Sequence, residues 1–433
     1  MGFAKLYLGN KLRLIRKDKG LSLENMAHDT GCSVATLSRL ERGETEVDNE
    51  TMAAIRKALN IEKAPLSEYE LKIFRGKLLV WHTLCASGRK DEAESTKKEL
   101  AIIKSLPFER GLYLLYTMIE TRLLIIQRNI EAAQDKLKEA ETCLDEMCAE
   151  ARYLYYDNKG RLCGISHDNR NAIMYHRKAL AIETEDLKTD ISSLLLLVGL
   201  SYKNMGRYFH AILNLEQAKM LYSGDSADIR GPHIDVQLAF CYMKAGNLSK
   251  AKNLITAALA QARSINNNIG VGVALQILAD IHGHEGDYQK ALTIYDESYQ
   301  YSPSNNDPLF NPQFKLHELY NKAYCLYNMK KFANCAEVLE QGKSLAKDDE
   351  RYTLVFESIE HLMNLNNNKS AEYIETITIP YHRKRDELQS ALFYCEKLED
   401  SYHKKNSSKK ANVIAAIARD IYKEMISDVD DTE

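Results

Sequence analysis

Apolar residues along this chain keep helical spacing almost throughout, in two registers. Over residues 5–61 the helices are short and sharply punctuated. Leu8, Leu12 and Ile15 lie at helical intervals and stop at Gly20, which predicts a first helix. Ser22 is placed to cap a second, with Glu24 in its first turn, where the helix dipole favours an anion. That helix buries Leu23 or Met26 and Ala27 and stops at Gly31. Ser33 caps a third, which turns Leu37 and Leu40 inward, and a fourth follows Asp48–Asn49 with Met52, Ile55 and Leu59 inside. Residues 62–73, with Pro65, lead out of this first domain, 1–61, into a repeat domain over 74–433.

The second register is a recurrence of about 40 residues. It reads clearest as Gly199, Tyr202, Gly206, Tyr208, Ala211, Leu215, Ala218; then Ala239, Tyr242, Gly246, Leu248, Ala251, Ile255, Ala258; then Ala279, His282, Gly286, Tyr288, Ala291, Tyr295, Ser298. Each copy predicts a helical hairpin, with small residues where two helices approach and aromatics between neighbours. Weaker copies align on Ala93, Ala133, Ala172, Cys335, Ala371 and Ala411, and successive spacings from Ala93 are 40, 39, 39, 40, 40, 44, 36 and 40. The pattern resembles the tetratricopeptide repeat, whose second-helix Ala is matched at Ala211, Ala251 and Ala291. The only Trp, Trp81, occupies the small-residue position of the first copy, as an atypical cap would. The predicted fold is all-α: an N-terminal helix-turn-helix domain, then a right-handed tetratricopeptide-repeat solenoid of about nine hairpins.

Composition agrees. Gly (20) and Pro (7) are scarce in 433 residues, as an almost wholly helical protein requires. The net charge of −3 does not advertise nucleic-acid binding, but residues 1–61 carry 10 Lys+Arg against 8 Asp+Glu, and the rest 48 against 53. The nine cysteines show no Cys-x-x-Cys pair and fit reduced thiols in a cytoplasmic protein. The longest apolar run, Leu194–Leu200, is far too short to span a bilayer, and no membrane partner is expected. No Gly-rich phosphate loop, nucleophile elbow or metal spacing occurs, so neither enzyme, cofactor nor metal is expected.

The chemistry concentrates in two places. In a helix-turn-helix, the second helix offers its first residues to base edges in the major groove. Here those outward positions are Val34, Ala35, Thr36, Ser38 and Arg39. Arg39 can bond a guanine bidentately, and Val34, Ala35 and the Thr36 methyl can touch a thymine methyl. Lys17, Arg42, Arg56 and Lys57 are the candidate phosphate contacts. Glu44, Glu46, Asp48 and Glu50 follow the recognition helix and weaken the electrostatic term. One such domain reads one half-site of a double-stranded operator, so a homodimer or higher homo-oligomer is expected. Along the repeats, the groove-facing positions give Arg122, Asn158, Arg161, Lys203, Gln237, Phe240, Gln276, Asn321, Tyr324 and Tyr327 as peptide-binding candidates. Amides pair a peptide backbone in both directions, and cations hold carboxylates.

Leu8-Gly9, Leu12-Arg13, Arg16, Gly20-Leu21-Ser22, Met26-Ala27, Gly31 and Leu37-Ser38-Arg39-Leu40-Glu41-Arg42-Gly43 resemble the Cro/phage-repressor type of helix-turn-helix. That resemblance implies an ion pair between Arg16 and Glu41. Leu23 departs from it, since Gln usually opens the second helix there. The whole chain resembles the peptide-pheromone receptors of Gram-positive bacteria and their phages, the RRNPP group containing Rap, Rgg, NprR, PlcR, PrgX and AimR, most of all the NprR-type branch. What the resemblance implies is a cytoplasmic quorum-sensing transcription regulator that binds DNA as a dimer and is switched by a short signalling peptide in the repeat groove. The alternative it carries is a protein-interaction regulator acting on a response-regulator protein, with DNA binding secondary.

Overall fold

The computed structural model describes residues 3–61, 66–106, 109–184, 190–222, 230–301, 312–347, 349–385 and 387–427; Pro65 lies outside them. Every regular element among the described residues is helical. The chain divides into two compact units, residues 1–188 and 189–433.

The first unit opens with α1 (Phe3–Asp18), α2 (Leu23–Thr30), α3 (Val34–Glu41) and α4 (Asn49–Ala58). Their core is Leu12, Met26, Leu37, Leu40, Ile55, Leu59 and Ile61, with Leu8, Ile15, Ala27 and Met52 packed around it. The anticipated caps form: Ser22 and Ser33 accept the amide hydrogens of Asn25 and Thr36, and Asp48 that of Thr51. Gly9 lets α1 lie directly on the end of α3, because a Cβ there would fall 2.2 Å from the Leu40 carbonyl oxygen.

Three hairpins complete this unit: α5 (Glu68–Ala86) with α6 (Lys90–Leu100), α7 (Arg110–Ile126) with α8 (Ile130–Glu141), and α9 (Ala149–Ile165) with α10 (Asn169–Leu180). The first repeat helix begins six residues before the expected start at 74, capped by Ser67. Trp81 is fully buried on it, its ring 4.9 Å from that of Tyr116 on α7. The head is tied to these repeats by Lys11 of α1, whose Nζ donates to Glu109 Oε2 at 2.8 Å. The other Glu109 oxygen accepts the Leu66 amide hydrogen at 3.1 Å.

The second unit holds six hairpins: α11 (Asp190–Asn204) with α12 (Tyr208–Leu221), α13 (Arg230–Lys244) with α14 (Leu248–Ser264), α15 (Asn268–His284) with α16 (Tyr288–Tyr299), α17 (Pro312–Asn328) with α18 (Phe332–Leu345), α19 (Glu350–Met363) with α20 (Asn368–Tyr373) and α21 (Ile379–Lys384), and α22 (Leu388–Lys404) with α23 (Ser408–Ser427). A π turn, Ile374–Thr378, joins α20 to α21 just ahead of Pro380, which has no amide hydrogen to continue an α-helical ladder.

All nine anchors, Ala93 through Ala411, sit on the second helix of a hairpin with 2% or less of their surface exposed. They have to be small. At the facing position on the first helix, a methyl added to Gly199 would lie 2.7 Å from Leu215 Cγ, and one added to Gly160 would lie 2.6 Å from the His176 ring. Five residues before the anchor, eight of the nine hairpins place a left-handed residue: Gly88, Arg128, His167, Gly206, Gly246, Gly286, Lys330 and Asn406. Each closes its helix with the paired bonds of a Schellman motif, as where Gly246 donates to the Met243 carbonyl and Asn247 to that of Tyr242. The next residue often caps the second helix, as Asn129, Asp168, Asn247 and Asp287 do. First helices of up to 19 residues account for the long period.

Candidate functional site

The head presents α3 as a recognition helix. Gly31, at φ 68°, ends α2 in the left-handed conformation, and Ser33 restarts the chain as α3. Val34, Ala35 and Arg39 are exposed, Thr36 and Ser38 are half-buried, and Leu37 and Leu40 are buried. The Thr36 hydroxyl lies 2.8 Å from Ser33 Oγ, so it serves the cap and leaves its methyl as the outward group. Arg39 meets no carboxylate among the described residues; its nearest polar contact is the Ala35 carbonyl at 3.4 Å. Arg16 and Glu41 form the ion pair that the resemblance implies, bonded twice at 2.6 and 2.8 Å and buried between α1 and α3. Arg16 also donates to the Leu21 carbonyl at 2.7 Å, so one side chain fixes the end of α1, the start of α2 and the end of α3.

Of the phosphate candidates, Lys17 and Lys57 are exposed in the last turns of α1 and α4, and Arg56 is half-buried. Arg42 is paired to Glu44 at 3.1 Å, which reduces the charge it offers. Asp48, within the acidic segment, is a helix cap; its carboxyl is held below its ordinary value by the Thr51 amide and hydroxyl.

The groove candidates separate by unit. In the first, Arg122 and Asn158 are buried rather than open to a ligand. Arg122 Nε donates to Asn158 Oδ1 at 2.8 Å and its Nη2 bonds Asp157, while Asn158 Nδ2 donates to the Met118 carbonyl at 2.8 Å. Arg161 donates to the other Asp157 oxygen at 2.9 Å. This corrects the expectation for Arg122 and Asn158: they are struts between α7 and α9, because Asp157 supplies a buried carboxylate that draws them inward. Gln276, in the second unit, is likewise committed, its amide donating to the Phe314 carbonyl at 3.0 Å.

In the second unit, the first helices of successive hairpins turn polar stripes toward one inner face. On α13 the stripe is His233, Gln237, Phe240 and Lys244; on α15 it is Asp280 and His284; on α17 it is His317, Asn321, Tyr324 and Asn328. The unit curls so that α22 meets α13 and α17. Gln389 Nε2 donates to the Lys244 carbonyl at 2.7 Å, and the Tyr324 and Phe393 rings stand 5.4 Å apart. Lys203 Nζ, from α11, donates to Gln237 Oε1 at 2.8 Å, and Gln237 Nε2 lies 3.1 Å from His233 Nε2. Asp280 accepts from Asn321 Nδ2 at 2.9 Å and from the Tyr295 hydroxyl. Tyr327 packs against Phe332, at the start of α18.

The curl of the face shifts its titrating groups, although His233 and His284 stay exposed and Lys203, Lys244 and His317 are half-buried. Burial lowers both Lys203 and Lys244. It also lowers His233, with Lys203 adding to the effect, and His317. His284 is brought down to about 4 by burial and then by Lys244. These imidazoles are therefore neutral near pH 7. Sequence positions flagged Lys203, Gln237, Phe240, Asn321, Tyr324 and Tyr327, which the structure brings to this face. They missed His233 and Lys244, each one helical turn from a flagged residue, and Gln389 and Phe393, which only the curl of the unit brings near.

A head with a capped, exposed recognition helix on paired, anchored hairpins defines a helix-turn-helix protein carrying tetratricopeptide repeats. Residues 12–66 match the helix-turn-helix family model and residues 232–304 the tetratricopeptide-repeat model. The transcriptional activator NprA of Geobacillus stearothermophilus is 22% identical over 91% of this chain and 98% of its own length. Response regulator aspartate phosphatase E of Bacillus subtilis (strain 168) is 25% identical over 64% of this chain and 74% of its own. A crystal structure of NprR in complex with its cognate peptide NprX superposes with a TM-score of 0.61 at 18% identity, covering 83% of this chain and 99% of that one. The chain is thus similar to receptors of the RRNPP type, in sequence to the activator NprA and in fold to NprR.

Proposed function

We propose that this protein is a transcription regulator of the cytoplasm that reads DNA as a dimer through α3 and is switched by a short signalling peptide on the inner face of residues 189–433. The observation that carries the reading is that face. Amides (Gln237, Asn321), cations (Lys203, Lys244) and aromatics (Phe240, Tyr324, Tyr327) line adjacent first helices within one curled unit. An extended peptide needs that mixture: amides for its backbone, apolar walls for alternate side chains, and charges for specificity. The head supports the DNA half, with Arg39 and Val34 exposed at the start of a braced helix. Likeness to the activator NprA and to the fold of peptide-bound NprR points the same way. The role is that of a receptor rather than an enzyme.

Mechanically, peptide shifts the protein only by binding one arrangement of the dimer better than another. The heads are then redistributed between spacings that do and do not match the two half-sites. The test is DNA binding by the full chain to its own upstream region, with and without synthetic C-terminal fragments of small secreted reading frames beside the gene. A second reading rests on the likeness to response regulator aspartate phosphatase E. Capture of a receiver-domain protein by the full chain, undiminished in Arg39→Ala and without sequence-preferring DNA binding by wild type, favours that reading.

A further inference from the structure

We propose that the inner face of residues 189–433 holds a carboxylate of its peptide with the ammonium groups of Lys203 and Lys244, beside the Phe240 ring. The proposal rests on the preceding reading that this face takes a peptide, and it specifies what that peptide must present.

Lys203 reaches in from α11, and Lys244 from the last turn of α13. Their Nζ atoms lie 5.5 and 5.8 Å from the centroid of the same ring, Phe240. Among the described residues neither ammonium meets a carboxylate. Lys203 has only the Gln237 amide oxygen, at 2.8 Å. The acidic group whose charge Lys244 feels is Asp280, and Asp280 already accepts from Asn321 and Tyr295. Elsewhere in this unit lysines find acids: Lys219 meets Asp235 at 2.6 Å, Lys252 meets Glu285 at 3.0 Å, and Lys322 meets Glu318 at 2.9 Å.

Partial withdrawal from water lowers both ammonium groups, and among the described residues no carboxylate bonded to either offsets that cost. An entering carboxylate reverses the sign of that term. It gains charge-assisted hydrogen bonds from two half-buried ammonium groups, which are screened less than fully exposed ones. That carboxylate comes either from the peptide's C-terminus or from an Asp or Glu side chain.

Affinity selection on the full chain separates these sources. Three pools of randomised short peptides serve as probes: free acids lacking Asp and Glu, C-terminal amides containing Asp or Glu, and amides lacking both. One or both acidic pools should enrich at least about tenfold over the neutral pool at low salt. Whichever enriches identifies the source. In the double variant Lys203→Met, Lys244→Met that preference should fall to about one, while the fold melts about where wild type does, because neither half-buried ammonium is paired to a carboxylate among the described residues of the apo protein. A neutral pool that enriches as well as the acidic pools overturns the carboxylate site and leaves the peptide face standing. A lower melting temperature in the double variant with the acidic preference intact makes the lysines structural and also overturns the proposal. Enrichment of no pool overturns the peptide reading itself, and this inference with it.

Discussion

Lys11 Nζ on the first helix of the head donates to Glu109 Oε2 at 2.8 Å, with both side chains buried although 98 residues separate them. Glu109 also holds the Leu66 amide, so one carboxylate joins the DNA-reading head, the chain leaving it and the start of α7. Glu109→Ala removes the carboxylate that pairs the Lys11 ammonium and frees the Leu66 amide. Breaking such a pair typically costs about 3–5 kcal/mol. The head should then loosen from the repeats while each keeps its own fold. Faster proteolysis between residues 59 and 67, with helical content by circular dichroism unchanged, is the expected result.

Arg39 and Lys57 are predicted to act on DNA in different ways. Arg39→Ala should weaken binding to the preferred site by about 1–3 kcal/mol and relax discrimination at one base pair. Lys57→Ala should weaken all sequences alike and lower the slope of log affinity against log salt by about 1. Anisotropy titrations at several salt concentrations, on specific and scrambled duplexes, distinguish the two.

Asp157 should make the first unit acid-sensitive. Burial alone would raise its carboxyl, but Arg122 and Arg161, with His176 alongside, hold it well below its ordinary value. A carboxyl lowered by folding adds stability that is complete above its unfolded value, about 3.9, and is lost as pH falls below that. Asp157→Asn leaves Arg122 buried without its counter-charge and should melt lower at pH 7, by the equivalent of about 3–5 kcal/mol. The gap between variant and wild type should narrow below pH 4 in thermal melts taken across that range.

Lys330 is predicted to be a site where glycine stabilises. Its φ of 59° is left-handed, in the turn where Gly206, Gly246 and Gly286 serve other hairpins. The side chain crowds the backbone there by about 1–2 kcal/mol, partly offset by the unfolded-state entropy that glycine adds. Lys330→Gly should therefore raise stability by roughly 0.5–1 kcal/mol, read from urea melts of the full chain. The same change at Arg128 should act in the same direction.

That turn also shows what the sequence could and could not say. The nine anchors were legible because close helix approach admits little besides Ala or Cys, and that demand recurs in every hairpin. The turns were legible only where glycine fills them; Arg128, His167 and Lys330 adopt the same conformation with side chains that carry no such signal. On the inner face, Gln237 and Phe240 could be found by position, and Lys244 follows from extending the same helical stripe one turn. The burial of Arg122 and Asn158 could not, because it depends on which neighbour Asp157 meets in space. Lys11 and Glu109 lacked any local pattern linking them.

The central claim is that a peptide on the inner face of residues 189–433 controls DNA reading by the head. It is tested most directly by titrating the full chain against a labelled duplex from its own upstream region, with and without a saturating peptide recovered by the selection above. Peptide should change the apparent affinity about 5- to 150-fold, in either direction, and the change should be lost in Lys203→Met, Lys244→Met at the same peptide concentration. Superimposable DNA-binding curves with the peptide demonstrably bound would contradict it.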